Sequence, residues 1–382
     1  MKNKLKLKYL PAYVFCIIIF AVPVLYLSVK DSEFSSLEKR NLSQLPIPGV
    51  ESVFKGDFGK DFETYLNDQM PFRTFFVGVN AYYDLLSGRN GMSGIYSAKD
   101  DYLTVTPVKE NSTFNNNLKY LGEFVETADV PSYICTVPSS GYIYDDKLPL
   151  NHYEYKDGQI ISKIEDSLGS IENVRVVNIT DTFKQLKNDE QLYYKTDHHW
   201  TSQGAYECYK LLGESMNFTP TPKESFNIES CGGFYGTNYS KSGLWLKPSE
   251  SIELWVNEKR QKNSLRVCVF EGEDVTFSDD CFFRDNLKTN DQYTAFLDGN
   301  HGIVTISNKN AQTDKKLLVL RDSYSHCLAP FLADNYSLVT LVDIRYYFKP
   351  VSDLVKEQDI DEILIIYSID SIVNSTDIAG IY

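Results

Sequence analysis

The stretch Leu317-Leu-Val-Leu-Arg-Asp-Ser-Tyr-Ser325 joins an apolar run to a polar turn. Continuous runs of branched apolar residues are typical of strands that are buried on both faces of a parallel sheet. Comparable runs recur at 338–344 and 362–367, and upstream at 130–138 and 174–179, with helix-like segments between them. This alternation predicts an α/β fold with three α/β/α layers around a mostly parallel sheet.

Residues 217 to about 312 differ in composition from the chain on either side. They are rich in Gly, Ser, Asn and charged residues, and apolar positions alternate in short segments such as Ser251–Val256 and Leu265–Phe270. Alternation with a period of two indicates half-buried strands. We therefore expect a β-rich insertion between two parts of the α/β sheet.

The N-terminal region carries a candidate membrane segment. Tyr9–Val29 runs for about twenty residues without a charge, which is long enough to cross a bilayer as a helix. Lys2, Lys4, Lys6 and Lys8 precede it, and basic residues on that side predict a cytoplasmic N-terminus with the body of the protein outside the cell. A signal peptide that is cleaved after export is the alternative.

A polar linker and a helical block follow the apolar segment. Apolar residues between Phe54 and Gly88 recur at three- and four-residue steps, which predicts two amphipathic helices. Pro71 should separate them, because proline disfavours continuation of a helix and favours its start. The predicted organisation is a signal-anchor helix at 1–30, a linker at 31–50 and a folded domain at 51–382 that contains the insertion.

Composition excludes some classes of function. The net charge is −14 and the sequence pI is about 4.9, so a protein that binds nucleic acid is not expected. The seven cysteines contain no C-x-x-C pair, which argues against a zinc ribbon or a redox motif. Outside the cell some of these cysteines would be able to pair, and free buried thiols are the alternative.

Two of the five histidines lie side by side in Thr196-Asp-His-His-Trp-Thr201. In an extended segment, residues two apart point the same way, so Asp197 and His199 should share a face while His198 looks away from it. A carboxylate beside an imidazole can fix its tautomer and stabilise its protonated form, as the acid does in a catalytic triad. A metal site and a solvated structural turn are the alternatives.

Ser323 lies at the turn after a predicted strand. Sheets of this kind place function beyond the carboxyl ends of their strands, where a serine hydroxyl is exposed and backbone N–H groups can stabilise an oxyanion. Helix caps use the same residue types, so this turn is a weak signal by itself. It gains weight beside Asp197 and His199, because a nucleophilic serine needs a base within hydrogen-bond reach.

The motif Thr196-Asp-His-His-Trp-Thr201, followed by Gly204-Ala-Tyr206, resembles the signature of the DHHW family of bacterial proteins. That family is similar to the SGNH-hydrolase-like alginate O-acetyltransferases of exopolysaccharide export. Further blocks resemble the family in the expected order along nearly the whole chain. These blocks are Glu38–Leu42 with Pro46, Phe62–Arg73, Phe234–Thr237, Asp298–Asn300, Leu320–Ser325, Asp343–Tyr346 and Ile363–Asp370.

The resemblance implies an SGNH-like catalytic domain with a triad of Asp197, His199 and Ser323. Their order along the chain is permuted relative to ordinary SGNH esterases, in which the serine comes first. The serine block also departs from the Gly-x-Ser pattern of the alginate enzymes, because Arg321 stands in place of the glycine. That departure bears on the geometry of the oxyanion hole.

Five further residues are candidates for contacts with the oxyanion or the substrate. Asn300 follows Gly299 in a turn and is a candidate oxyanion donor, although asparagine in such a turn needs no catalytic reason. Arg345 follows a predicted strand and would contact substrate or form a surface salt bridge. Trp200 is either a platform for a sugar ring or a core residue. The other two candidates are His198 and Tyr324.

The resemblance implies an extracellular O-acetyltransferase that acts on hydroxyls of a secreted or cell-surface polysaccharide. Acetyl-coenzyme A is not available outside the cell, so a membrane-bound O-acyltransferase is the expected partner that supplies acetyl groups. No cofactor and no resident metal ion are expected. The alternatives are a carbohydrate acetyl esterase with the same triad and a non-catalytic polysaccharide-binding scaffold of an export machine.

Overall fold

The computed structural model describes residues 9–272 and 274–382, so the four N-terminal lysines lie outside the described residues. The chain divides into two compact units. One comprises residues 1–89 with 243–245, and the other comprises residues 90–242 with 246–382.

The first unit is mainly helical. Its helices are α1 (Leu10–Ser28), α2 (Val50–Lys55), α3 (Asp57–Asp68) and α4 (Arg73–Leu86), and its strands are the short pair β1 (Phe34–Ser35) and β2 (Arg40–Asn41). Helix α1 is uncharged and is long and apolar enough to cross a bilayer. The two predicted amphipathic helices are confirmed as α3 and α4, and the break between them contains Pro71 as expected.

The second unit contains thirteen of the strands in the described part of the chain. They are β3 (Gly91–Met92), β4 (Ile95–Ser97), β5 (Leu103–Val105), β6 (Ser132–Val137), β7 (Val174–Val177), β8 (Asn227–Phe234), β9 (Glu250–Val256), β10 (Leu265–Glu271), β11 (Asp274–Ser278), β12 (Ile303–Asn308), β13 (Lys316–Arg321), β14 (Leu338–Val342) and β15 (Glu362–Ser368). Strands β3, β4 and β5 form one small antiparallel sheet, and β8 pairs with β9 in another.

The main sheet has eight strands in the order β11-β10-β12-β14-β13-β15-β6-β7. Strands β14, β13, β15, β6 and β7 run parallel to one another, and β11, β10 and β12 are joined to them by antiparallel pairing. The β-rich segment therefore continues the sheet beyond β14. This pairing satisfies backbone groups that an edge strand would otherwise leave open.

Helices of the second unit connect these strands. They are α5 (Ser112–Ala128), α6 (Ser140–Ile143), α7 (Asp157–Leu168), α8 (Thr180–Leu186), α9 (Ser202–Met216), α10 (Thr237–Ser242), α11 (Glu258–Gln261), α12 (Ala329–Leu332), α13 (Val351–Glu357) and α14 (Ile369–Asn374). Thr201 caps α9, since its hydroxyl accepts a hydrogen bond from the backbone N–H of Gly204 at 3.1 Å.

Strand β13 shows why the fold has three layers. All four of its residues from Leu317 to Leu320 are fully buried. Leu317 and Val319 pack into one apolar cluster, whereas Leu318 and Leu320 pack into a second one. Because neighbouring side chains of a strand point to opposite faces, the two clusters lie on the two sides of the sheet. The predicted α/β/α architecture is confirmed, and the polar turn follows directly at the carboxyl end of β13.

Candidate active site

Asp322 fixes the turn that presents Ser323. Its Oδ1 accepts a hydrogen bond from the backbone N–H of Tyr324 at 3.0 Å, and its Oδ2 accepts one from the N–H of Ser368 at 2.8 Å. The carboxylate therefore ties the end of β13 to the end of β15. Ser323 begins a short 3₁₀ turn, Ser323–His326, and remains half-exposed while the residues on either side of it are buried.

The two candidate stretches meet. His199 Nε2 lies 2.7 Å from Ser323 Oγ, although the two residues are 124 positions apart in the chain. On the other edge of the ring, His199 Nδ1 lies 2.6 Å from Asp197 Oδ1. A carboxylate can only accept, so Nδ1 carries the proton and Nε2 is left to accept the hydroxyl proton of the serine. This geometry lets the histidine act as a base toward Ser323.

Asp197 is held as an anion in a buried position. Burial alone would raise the pKa of its carboxyl, but the neighbouring imidazoles and the hydrogen bonds from His199 outweigh burial and hold the pKa well below its usual range. The backbone N–H of His199 donates to Oδ1 at 2.8 Å, and that of Thr237 donates to Oδ2 at 2.6 Å. The carboxylate is therefore oriented as well as charged.

Gly236 makes room for this carboxylate. A Cβ at position 236 would lie 2.2 Å from the Cβ of Asp197 and 2.5 Å from its Cα, distances that real atoms do not adopt. The segment Phe234–Thr237 is one of the short blocks that resemble the DHHW family, and the sequence assigns it no role. In the structure this block packs against the acid, since Gly236 permits the close approach and Thr237 supplies a hydrogen bond.

Glu250 holds the start of the motif, and sequence reasoning missed it. Its Oε1 accepts hydrogen bonds from Gln191 Nε2 at 2.8 Å and from the N–H of Lys195 at 2.7 Å. Its Oε2 accepts from both the N–H and the hydroxyl of Thr196 at 2.7 Å. Glu250 lies on β9, more than fifty residues downstream, and the sequence around it carries no signal of this role.

Aromatic side chains fix the plane of the His199 ring. Tyr293, which the sequence did not indicate, stacks on it with ring centroids 3.9 Å apart and planes 9° apart. The sequence left two interpretations of Trp200 open, a platform for a sugar ring or a core residue. It is fully buried, and its indole N–H donates to the carbonyl of Tyr324 at 2.9 Å. The platform interpretation is therefore wrong, because the ring offers no accessible face to a sugar.

The expectation that His198 faces away from the acid is wrong. Its Nδ1 lies 3.3 Å from Asp197 Oδ1, and its ring centroid lies 3.9 Å from that of His199. The residue alternation assumed an extended chain, whereas the hydrogen bond from the N–H of His199 to the side chain of Asp197 closes a turn. Both imidazoles consequently lie beside the same carboxylate.

Ser323 opens into a cavity of about 230 Å³ within the second unit. His198, Tyr324 and Arg345, all predicted from the sequence, are among its lining residues. The lining also includes four further serine hydroxyls and the cation Lys241. Apolar side chains, among them Val105, Val137 and Ile369, complete the lining, so the cavity can bind a substrate that carries both hydrogen-bonding and apolar groups.

Arg345 and Asn300 occupy different positions relative to this cavity. Hydrogen bonds with Asp343, at 2.9 Å from Nε and 2.6 Å from one terminal nitrogen, raise the pKa of Arg345, so its guanidinium stays charged. Asn300 is exposed, and its side-chain oxygen accepts a long hydrogen bond of 3.4 Å from Arg345. Over the described residues, the cavity lining does not include Asn300.

Arg321, which stands in place of the glycine in the Gly-x-Ser pattern of the alginate enzymes, is fully buried. Its guanidinium donates to the carbonyl of His301 at 3.3 Å, contacts His326 and lies 3.6 Å from Asp343 Oδ2. Asp343 therefore lies beside two arginines, one buried and one at the cavity. The large side chain of Arg321 is accommodated in this polar network and is not among the groups that line the cavity.

A metal ion is the competing use of the same residues. One ligand atom from each of Asp197, His198 and His199 lies within 4.8 Å of the others. However, both ring nitrogens of His199 already have partners in Asp197 and Ser323. Metal binding would require His199 to give up one of these hydrogen bonds.

Comparison with known proteins bears on this assignment. A family model described as DHHW protein matches residues 161–342, a segment that holds both the histidine motif and the serine turn. The resemblance to the DHHW family is confirmed. The DHHW-matching region also spans Gly236, Glu250 and Tyr293, three of the residues that surround the site. No curated protein matches the chain by sequence.

Solved structures share the fold. A DHHW family protein from Eubacterium siraeum is 22% identical with a TM-score of 0.63, and the match covers 76% of this chain and 95% of that one. Bacillus cereus PatB1, solved with a sulfonyl adduct, is 20% identical with a TM-score of 0.62, covering 74% and 97%. The O-acetyltransferase domain of Pseudomonas putida AlgJ is more distant, at 13% identity and a TM-score of 0.46 over 74% and 93%.

Proposed function

We propose that this protein is an extracellular O-acetyltransferase that acts on polysaccharide hydroxyls through Asp197, His199 and Ser323. The observation that carries the proposal is the continuous pair of short contacts from Asp197 through His199 to Ser323, at 2.6 and 2.7 Å. The position of Ser323, which is partly exposed to a cavity with several hydrogen-bonding side chains, supports the same assignment. We infer from the resemblance to the DHHW family that the transferred group is acetyl and that the acceptor is a polysaccharide.

In the proposed reaction, His199 Nε2 accepts the proton of Ser323 Oγ while that oxygen attacks the acetyl carbonyl carbon. The leaving oxygen of the donor takes the proton from His199, and the acetyl group remains as an ester on Ser323. A sugar hydroxyl then gives its proton to His199 and attacks the acetyl carbon. The acetylated sugar leaves, and the proton returns to Ser323. Asp197 keeps the ring oriented and stabilises its protonated form throughout.

The partners expected for this protein follow from the proposed location of the reaction outside the cell. We assign α1 as the membrane anchor, because it is apolar along its whole length. A membrane-bound O-acyltransferase would then bring acetyl groups to Ser323 from inside the cell. The charged guanidinium of Arg345 at the cavity is assigned a contact with the substrate.

The triad is tested with 4-nitrophenyl acetate as an artificial acetyl donor. Ser323→Ala and His199→Ala should each lower turnover by about 10⁶-fold, as the loss of the serine or the histidine of a triad does elsewhere. Ser307→Ala on β12 and His152→Ala, a half-buried histidine outside the cavity lining, are matched controls and should retain wild-type turnover. Undiminished turnover in both triad variants would refute the proposal, and loss of turnover on chelation would favour the metal alternative.

A sulfonyl fluoride provides an independent test, because it sulfonylates an activated serine oxygen and releases fluoride. Mass spectrometry should locate one adduct on the peptide that contains Ser323, and the adduct should be absent in Ser323→Ala.

A transferase is distinguished from an esterase by the ratio of acetyl transfer to hydrolysis when a polysaccharide acceptor is added. Hydrolysis that no acceptor suppresses would assign the esterase. Glycan binding without any adduct would assign the non-catalytic scaffold.

A further inference from the structure

Helix α4 turns an apolar stripe outward. Five residues of α4 that lie on one face of it, together with the residue just before the helix begins, are each between 48% and 89% exposed. We name this set the outer stripe: Phe72, Phe75, Phe76, Val79, Tyr83 and Leu86. On its other side α4 buries small and polar residues, namely Gly78, Ala81 and Asp84. The most apolar face of this helix is therefore the one that is not covered by protein.

The same unit exposes a second apolar segment at α2. Ile47, Val50 and Phe54 are 91%, 79% and 89% exposed and again recur at steps of three and four. Single exposed apolar residues are ordinary on protein surfaces, but a sustained stripe marks an interaction surface. Two such segments in one small unit indicate that this unit has an apolar partner.

Hydrogen bonds between the end of α1 and α3 indicate what the apolar partner of this unit is. Immediately after α1, Asp31 accepts a hydrogen bond from the hydroxyl of Tyr65 at 3.0 Å. Ser32 is joined to Gln69 by two hydrogen bonds, one in each direction, at 3.0 and 2.9 Å. Within α1, the hydroxyl of Tyr26 donates to the carbonyl of Leu66. The end of α1 is thus held against the end of α3, four residues before α4 begins.

We propose that the outer stripe lies in the interfacial region of the same bilayer that α1 crosses. The inference rests on the proposed role of α1 as a membrane anchor. If α1 spans the membrane, its contacts with α3 keep α4 at the membrane surface. An amphipathic helix there buries its apolar face about 5–10 Å into the boundary between headgroups and acyl chains. Phenylalanine and leucine, which make up most of the outer stripe, are typical of that face.

The attraction should be apolar rather than electrostatic. Helix α4 carries one basic residue, Arg73, and one acidic residue, Asp84, so it has no net charge to draw it toward anionic lipids. Contact between the outer stripe and the bilayer is therefore expected to be the same in vesicles of phosphatidylcholine alone and in vesicles that also contain phosphatidylglycerol.

The experiment uses the full chain reconstituted in vesicles, with tryptophan as a reporter of lipid contact. Phe75→Trp places the reporter in the outer stripe, and Phe20→Trp places one in the middle of α1. Leu150→Trp, at a position 87% exposed in the second unit, is the control. The native Trp245 donates a hydrogen bond to the carbonyl of Thr74 on α4, so the quenching of the native tryptophans is measured on the wild-type chain and subtracted from that of each variant. Lipids brominated near the headgroup end of the chain should quench Phe75→Trp, and lipids brominated near the chain end should quench Phe20→Trp.

The outcomes separate the two proposals. Quenching of Phe20→Trp and Phe75→Trp, with little quenching of Leu150→Trp, would support both the anchor and the surface contact. If Phe20→Trp is quenched and Phe75→Trp is not, the contact proposal fails while the anchor stands. In that case cross-linking between copies at position 75 would assign the outer stripe to a second copy of the chain. If Phe20→Trp is not quenched, both proposals fail.

Discussion

Gly236→Ala tests whether the packing around Asp197 is required for the proposed triad. An added Cβ would lie 2.2 Å from the Cβ of Asp197 and 2.3 Å from its Oδ2. Carbon atoms in ordinary contact are about 3.5 Å apart, so the two must separate by about 1.3 Å. A movement of that size takes the carboxylate out of hydrogen-bond range of His199 and Thr237, which are now 2.6 Å away.

The expected cost can be estimated from this displacement. A misplacement of about 1 Å costs about 10²-fold in rate, and an acid that no longer holds the correct tautomer costs up to about 10⁴-fold. Overpacking a buried site destabilises the fold by about 1–3 kcal/mol. We therefore expect kcat for 4-nitrophenyl acetate to fall by at least about 10²-fold while a cooperative thermal transition remains.

Gly232→Ala is the matched control for this prediction. Gly232 lies on β8 only four residues upstream, and an added Cβ there meets nothing closer than the hydroxyl of Ser251 at 3.8 Å. It should leave kcat unchanged. Asp197→Asn, which keeps the shape of the side chain, should reproduce the loss of turnover seen in Gly236→Ala. A folded Gly236→Ala protein with wild-type kcat would refute the reasoning.

Three other predictions concern residues around the site and the core. Glu250→Gln should lower kcat by about 10- to 100-fold with little change in KM, because an NH₂ donor replaces one of the two oxygens that accept from Lys195 and Thr196; equal kcat would contradict the positioning role. Burial raises the pKa of Asp334 to about 6, so its protonated form is favoured in the folded state and stability is lost as pH rises through that value. Compared with Asp334→Asn, the wild type should lose about 2 kcal/mol of unfolding free energy between pH 4 and pH 7, measured by urea denaturation; parallel profiles would contradict this. Asn300→Ala should reduce kcat less than Arg345→Ala does, since Asn300 reaches the cavity only through that arginine, and the reverse order would restore the predicted oxyanion role.

The parts of the fold that could be predicted are those encoded by local patterns. The apolar runs of β13, β14 and β15 were recognised because burial on both faces leaves a signature within a few residues. The same local reasoning failed at His198. There, alternation presumes an extended chain, and a single hydrogen bond to the side chain of Asp197 closes a turn instead.

By itself, the sequence determined the α/β architecture and the apolar N-terminal helix, because each depends on composition or on neighbouring positions. The three residues proposed as a triad were indicated by the resemblance of their motifs to the DHHW family. The tertiary structure alone decided that Ser323 meets His199, that Tyr293 stacks on its ring and that Glu250 holds the motif. These contacts join positions tens to more than a hundred residues apart. Their geometry is set by how β13, β9 and the motif pack together, and no local pattern carries that information.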